Sequence, residues 1–241
     1  MVFPCASRIF STTDMTQSEI DEVLYSAADE KYREFNARII RTNLPMIGVR
    51  TPLLKSLAKK IAKEGGDFLD SYKAENYEQV LLYSLVLAYA KMPLDNKYPY
   101  LDAIMRKYDN WGVVDMTVAA FTQAGREREK FLKDYIHLES APEFERRFLA
   151  VFLLDYCITE DMIGYTLEAY KRIQNDEYYV NMAVAWGLSV ALVKFYDRTV
   201  EYMQCGGFSD FIIRKAVQKA RESYRISEEK KNELTYFFVK K

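Results

Sequence analysis

The sequence predicts an all-α protein built as a superhelical solenoid of antiparallel HEAT-like helix pairs. Three observations carry this. Glycine and proline are scarce in the 241 residues, at 9 and 6, and no alternating strand pattern persists. Helical periodicity recurs along almost the whole chain. Helix starts also return at a near-constant interval: NYEQVLLYSL from Asn76, NWGVVDMTVAAF from Asn110, PEFERRFLAVFLL from Pro142, DEYYVNMAVAWGL from Asp176 and SDFIIRKAVQKA from Ser209, spaced by 34, 32, 34 and 33 residues. A helix pair repeated at that period can bury its apolar face only against its neighbours, which is the mark of a solenoid.

Taken in order, residues 1–15 open with MVFPCASRIFSTTD, which is apolar but short and lacks a basic start ahead of an apolar block. They read as an extension, with Met15 as the natural start or the first fourteen residues as a weak transit segment. Residues 16–241 read as a single HEAT-like-repeat domain. TQSE from Thr16 is a capping-box pattern and opens the first helix. Each of Asn76, Asn110, Pro142, Asp176 and Ser209 suits a cap or first-turn position, so an inner helix is expected to begin near each. Between them lie shorter helical segments, YPYLDAIMRKY, EREKFLKDYIH, EDMIGYTLEAYKRI and YDRTVEYMQ, which supply the second helix of each pair. Tetratricopeptide and ankyrin repeats have similar lengths, but their W-x-x-L-G-x-x-Y and T-P-L-H patterns are absent.

Composition narrows the function. Lys plus Arg number 34 and Asp plus Glu 35, a formal net charge of -1, so the overall field does not draw nucleic acid and any polyanion site must be a local patch. Cys5, Cys157 and Cys205 lie far apart with no C-x-x-C pair, which argues against a disulfide framework or zinc cluster and for a reducing cytoplasm. The single histidine, His137, removes HExxH metalloprotease chemistry and reads as a packed surface residue. No run of 18 apolar residues exists to span a membrane, and no metal or other cofactor is expected.

One carboxylate stands out. In NWGVVDMTVAAF, Val114, Val118 and Phe121 form the stripe of a core-facing helix, yet Asp115 sits among them, one turn after Trp111. Burying a carboxylate costs several kcal/mol unless it is paired or used. Five residues in from successive inner-helix starts come Asp115, Arg147, Asn181 and Arg214, with Leu81 breaking the pattern in the first repeat. Any one of these read alone is a long side chain on a solvated face. Four in register predict a polar column along one face of the stack. Trp111 and Trp186, the only tryptophans, belong to two of the same helices and suggest an aromatic pocket around one carboxylate. Such a pocket suits a substrate that is anionic at its edges and gains positive charge at its centre, as a nucleotide does when it loses its base.

At this level the sequence resembles the HEAT-like-repeat alkylpurine DNA glycosylases, the AlkD family of DNA alkylation repair proteins. The strings that carry the resemblance are IGVRTP at 47–52, NWGVVD at 110–115, RRFLAVF at 146–152, NMAVAWGLSVALVKF at 181–195 and RKAVQKARESYRI at 214–226. The resemblance implies a helical solenoid that holds duplex DNA by its backbone and excises cationic N3- or N7-alkylated purines without flipping them. By position Trp111, Asp115 and Trp186 match the catalytic trio, with Asp115 the electrostatic stabiliser. Arg147 matches an active-site arginine near the phosphate and Arg214 a basic position close to the backbone.

The match thins at the N-terminus. Active members carry a basic, aromatic-bearing helix ahead of the G-[VI]-x-T-P turn that enters the minor groove. Here TQSEIDEVLYSAADEKYREF holds Glu19, Asp21, Glu22, Asp29, Glu30 and Glu34 against Lys31 and Arg33, and Ile39 falls where an aromatic is expected. Acid facing phosphate is repelled, so this pattern looks like a divergent clade with a reduced DNA-binding helix. Two functions are therefore expected from the sequence: a glycosylase, or a weakly active or inactive paralogue that binds DNA or a protein partner.

Overall fold

The computed structural model describes residues 15–64 and 67–238, and the expectations for residues 1–14 lie outside these. The described residues are helical with no strand, so the all-α class holds. No helix among them is long and apolar enough to cross a membrane. The chain divides into two compact units, residues 1–100 and 101–241.

The first unit begins with α1 (Gln17–Ser26), whose Thr16 capping box forms as expected: the Thr16 hydroxyl accepts from the Glu19 N–H, and the Glu19 carboxylate accepts from the Thr16 N–H at 2.8 Å. Helix α2 (Glu30–Ile39) is capped by Asp29, which accepts from the Tyr32 N–H. It buries none of its residues and leaves Phe35 and Ile39 exposed. The IGVRTP turn leads into α3 (Thr51–Glu64), which buries Leu54, Leu57, Ala58 and Ile61 at the i, i+3, i+4, i+7 spacing of an amphipathic helix. After the short α4 (Phe68–Ser71) comes α5 (Tyr77–Tyr89), capped by Asn76 and buried from Tyr77 to Ala88; a helix apolar on all sides belongs in a core. Helices α3 and α5 pack together.

One contact fixes the turn. The Glu78 carboxylate, fully buried on α5, accepts backbone N–H bonds from Ile47 at 2.9 Å, Gly48 at 2.7 Å and Val49 at 3.2 Å. Gly48 has φ +96°, and a Cβ there would stand 2.6 Å from the Asp29 carbonyl oxygen. Only glycine adopts that backbone so close to α2 without strain.

Helix α6 (Leu94–Met105) spans the boundary. The second unit contains α7 (Trp111–Ala120), α8 (Thr122–Arg126), α9 (Arg128–Tyr135), a 3-10 turn at Ile136–Ser140, α10 (Glu143–Tyr156), α11 (Ile163–Ile173), α12 (Tyr178–Lys194), α13 (Tyr196–Gln204), α14 (Asp210–Arg221) and α15 (Glu228–Phe238). Helix α7 packs on α10, α10 on α12, and α12 on α14, which is the nearest-neighbour stacking of a repeat array. The inner helices start where the interval places them: Asn76, Asn110, Pro142 and Ser209 are the N-caps of α5, α7, α10 and α14. At α12 the cap is Glu177, one residue beyond Asp176.

Candidate functional site

Helix α7 is set by its cap. The buried Asn110 accepts the Val113 N–H at 3.0 Å, which starts the helix at Trp111 and places Asp115 one turn later. Trp111 is half-buried. Asp115 meets Arg147 of α10 in a two-pronged pair: Nε donates to Oδ1 at 2.9 Å and Nη2 to Oδ2 at 2.8 Å. The third arm, Nη1, donates to the Tyr179 carbonyl of α12 at 2.6 Å. One guanidinium thus ties three successive inner helices.

The two partners differ in exposure, which decides what each can do. The Arg147 side chain is 7% exposed and the Asp115 side chain 17%. Each ionised carboxylate oxygen has lone pairs beyond the one that Arg147 uses, so Asp115 keeps accepting capacity on its open side. Arg147 is turned toward Asp115, so the guanidinium first positions the carboxylate.

The backing of Arg147 also involves residues not singled out by the sequence. Glu143, four residues earlier on α10, accepts the Tyr179 N–H at 2.8 Å while Arg147 binds the same residue's carbonyl. The i, i+4 spacing of Glu143 and Arg147 was visible, but Tyr179 as their common partner was not.

Trp186 sits mid-way along α12 and is 37% exposed. Its neighbour Gly187 explains the seating of that helix: a Cβ at 187 would lie 2.1 Å from the hydroxyl of Tyr170, which is wholly buried on α11. Among the described residues, neither tryptophan makes a ring contact or cation–π contact with another expected site residue. The structure therefore joins Asp115 to Arg147 directly, carries Trp111 on the helix of Asp115, and leaves Trp186 exposed on a helix that Arg147 touches.

The polar column divides further along. The buried Asn181 donates to the Asn175 carbonyl and accepts the Asn175 N–H at 3.2 Å, so its amide closes the loop before α12 rather than lining a face. Arg214 is exposed on α14. Of the four residues of the column, it alone is fully on the surface, while Asp115 is half-buried and Arg147 and Asn181 are buried.

One more carboxylate belongs to this neighbourhood. Asp155, near the end of α10, is exposed, yet desolvation by the protein around it raises its carboxyl to about 6, the Asp115 charge adds to the rise, and Lys194 of α12 opposes it. The sequence hid Asp155 at the end of the apolar run FLAVFLLDY, where an acid reads as a solvated helix end.

His137 behaves as a surface residue, its Nδ1 3.2 Å from the Asp134 carbonyl oxygen. Cys157 is buried and free and Cys205 exposed and free. Among the described residues, no group of three or more His, Cys, Asp or Glu side chains could hold a metal ion.

A comparison with family models assigns the chain to a family. No curated protein matches the chain. The family model described as "DNA alkylation repair enzyme" matches residues 20–220, most of the chain, and the chain belongs to that family.

Proposed function

We propose that the protein is a DNA glycosylase that releases cationic N3- and N7-alkylated purines from duplex DNA without base flipping. The observation that carries this reading is the Asp115 carboxylate, fixed from behind by both prongs of a buried Arg147 and still partly open to solvent. Losing a purine leaves oxocarbenium character on the deoxyribose, and a preorganised negative charge stabilises that state in a site shielded from water. An alkylated purine is already cationic and departs as a neutral molecule, so no general acid is required. Trp111 and Trp186 supply aromatic faces for a cationic sugar or base. Arg214 offers an exposed cation for the DNA backbone.

The test is base release from duplexes containing N7-methylguanine or N3-methyladenine under single-turnover conditions, with Asp115→Asn as control. Release by the wild type that the substitution abolishes supports the reading, and release indifferent to it sinks the role of Asp115.

A specific feature favours a second reading, a catalytically weak module of this family that binds DNA or a protein. The N-terminal segment around α1 and α2 is acidic, and α2 turns Phe35 and Ile39 to solvent. Acidic helices repel phosphate, so DNA binding through few cations should show a shallow salt dependence, with a slope of log affinity against log salt of roughly -2 to -4.

A further inference from the structure

We propose that Asp155 is a second catalytic residue of the Asp115 site, the general base that takes the proton of the water attacking the sugar. This rests on the glycosylase reading and extends it from one carboxylate to two with separate tasks.

Helix packing brings Asp155 to the site. Arg147, Val151 and Asp155 follow one i±4 ridge of α10, so the helix that grips Asp115 ends in a second carboxylate. The phase of α10 against α7 is pinned at both ends. Arg147 holds Asp115 near the N-terminal ends, and the Tyr156 hydroxyl donates to the Val118 carbonyl at 2.8 Å near the C-terminal ends. The two helices run parallel, and Asp155 lies where the Asp115 charge reaches it.

The two carboxylates are held in opposite ways. Both oxygens of Asp115 accept from Arg147, which makes it a fixed charge. Among the described residues Asp155 accepts no hydrogen bond and forms no ion pair, so its oxygens are free to take a proton. The groups that interact with it are Asp115 of α7, Lys194 of α12, Tyr170 of α11, and Tyr156 of its own helix. Lys194 attracts it but donates to the Ile158 carbonyl at 3.3 Å, and Tyr156 and Tyr170 have hydroxyls raised by burial. A carboxylate left unpaired while its surroundings desolvate it weakens the fold, and such groups gather at functional sites. Its rise to about 6 also brings its basicity closer to neutral pH, where a general base works best. Carboxylates with environments driven apart take different roles.

In the step, the C1′–N bond breaks and its electron pair leaves with the purine, which departs neutral. Water oxygen bonds to C1′, and its proton passes to Asp155, which later returns it to solvent. The sugar product carries a 1′-hydroxyl.

The experiment is single-turnover base release from an N7-methylguanine duplex between about pH 5 and 8.5, with uncatalysed release subtracted, for the wild type, Asp155→Asn, Asp155→Glu and Asp115→Asn. The wild-type rate should climb through a limb near pH 6 and flatten above it. Asp155→Asn should lose the limb and drop the plateau by about 10²-fold, while Asp155→Glu should restore a limb. If Asp155→Asn keeps the limb, whatever its plateau, Asp155 is not the base, and the glycosylase reading still stands on the loss seen in Asp115→Asn. If the wild type releases no base above the uncatalysed rate, the glycosylase reading falls and takes this role with it. Thermal melts of the variants separate a lost base from a lost fold.

Discussion

Two carboxylates, Glu78 on α5 of the first unit and Asp115 on α7 of the second, are held by different chemistry. Glu78 is wholly buried and accepts three backbone N–H bonds from Ile47, Gly48 and Val49. Asp115 is gripped from one side by a single guanidinium and keeps 17% of its side chain exposed. The first arrangement surrounds the charge with donors that belong to the fold, leaving no direction from which a ligand could approach. The second anchors the charge and leaves a face open. Burial of a carboxylate therefore does not mark a site by itself. What marks one is an acceptor held firmly by part of its surface and unsatisfied over the rest.

The contrast breaks most sharply in a chemical assay. Asp115→Asn should lower base release by about 10² to 10³, the scale seen when one preorganised electrostatic group is removed. Glu78→Gln should leave release unchanged below the melting transition, because Glu78 faces only backbone. If Glu78→Gln slows release as much as Asp115→Asn, the division between a structural and a working carboxylate is wrong.

Stability should show the reverse ranking. Glu78→Ala leaves three buried N–H groups without an acceptor, each worth about 1 to 3 kcal/mol, so a loss of at least about 3 kcal/mol is expected in chemical denaturation. Arg147→Ala should cost about 2 kcal/mol, less than the breaking of a fully buried pair, since the Asp115 left behind reaches water. Gly48→Ala probes the same turn as Glu78. With φ at +96° and a new Cβ 2.6 Å from the Asp29 carbonyl, it should destabilise by about 1 to 3 kcal/mol. A neutral Gly48→Ala in denaturation would show that the turn can relax away from α2.

Legibility in the sequence followed the same division. Helix starts were readable because caps and apolar periods are local: Asn110 and Ser209 accept from the N–H groups three residues on, and the interval between repeats places the rest. The partnership of Asp115 and Arg147 was half visible, as two charges in register on successive repeats. Register could not say that they would meet in a two-pronged pair or that Asn181, in the same register, would turn back to its own loop. Glu78 was hidden altogether, because its donors are backbone groups about 30 residues away and no side-chain pattern announces them. Asp155 was hidden for the opposite reason. Its character comes from through-space charge and crowding, and the local string shows only an acid ending a helix.

Anchored and unanchored carboxylates should also differ, more mildly, in how stability depends on pH. Asp155 is raised from the ordinary 3.8 to about 6, chiefly by desolvation and then by the Asp115 charge. Its folded form binds a proton more tightly than the unfolded chain does, so its contribution to stability is full below about pH 4 and fades as pH rises to about 6. Asp155→Asn removes that dependence. Its melting temperature relative to wild type should change little near pH 4, rise between pH 4 and 6, and hold a modest positive offset above, modest because solvent reaches Asp155 and screens the penalty. Asp161 supplies the opposite sign: the Thr159 hydroxyl and Arg128 lower its carboxyl below 3.8, so its contribution is present above that value and lost as pH falls. The Asp155→Asn offset should therefore appear as pH is raised, whereas Asp161→Asn should lose stability at neutral pH and converge on wild type in acid. If Asp155→Asn is less stable than wild type at pH 8, the carboxylate has a partner that holds it ionised, and it is anchored like Asp115 rather than left free.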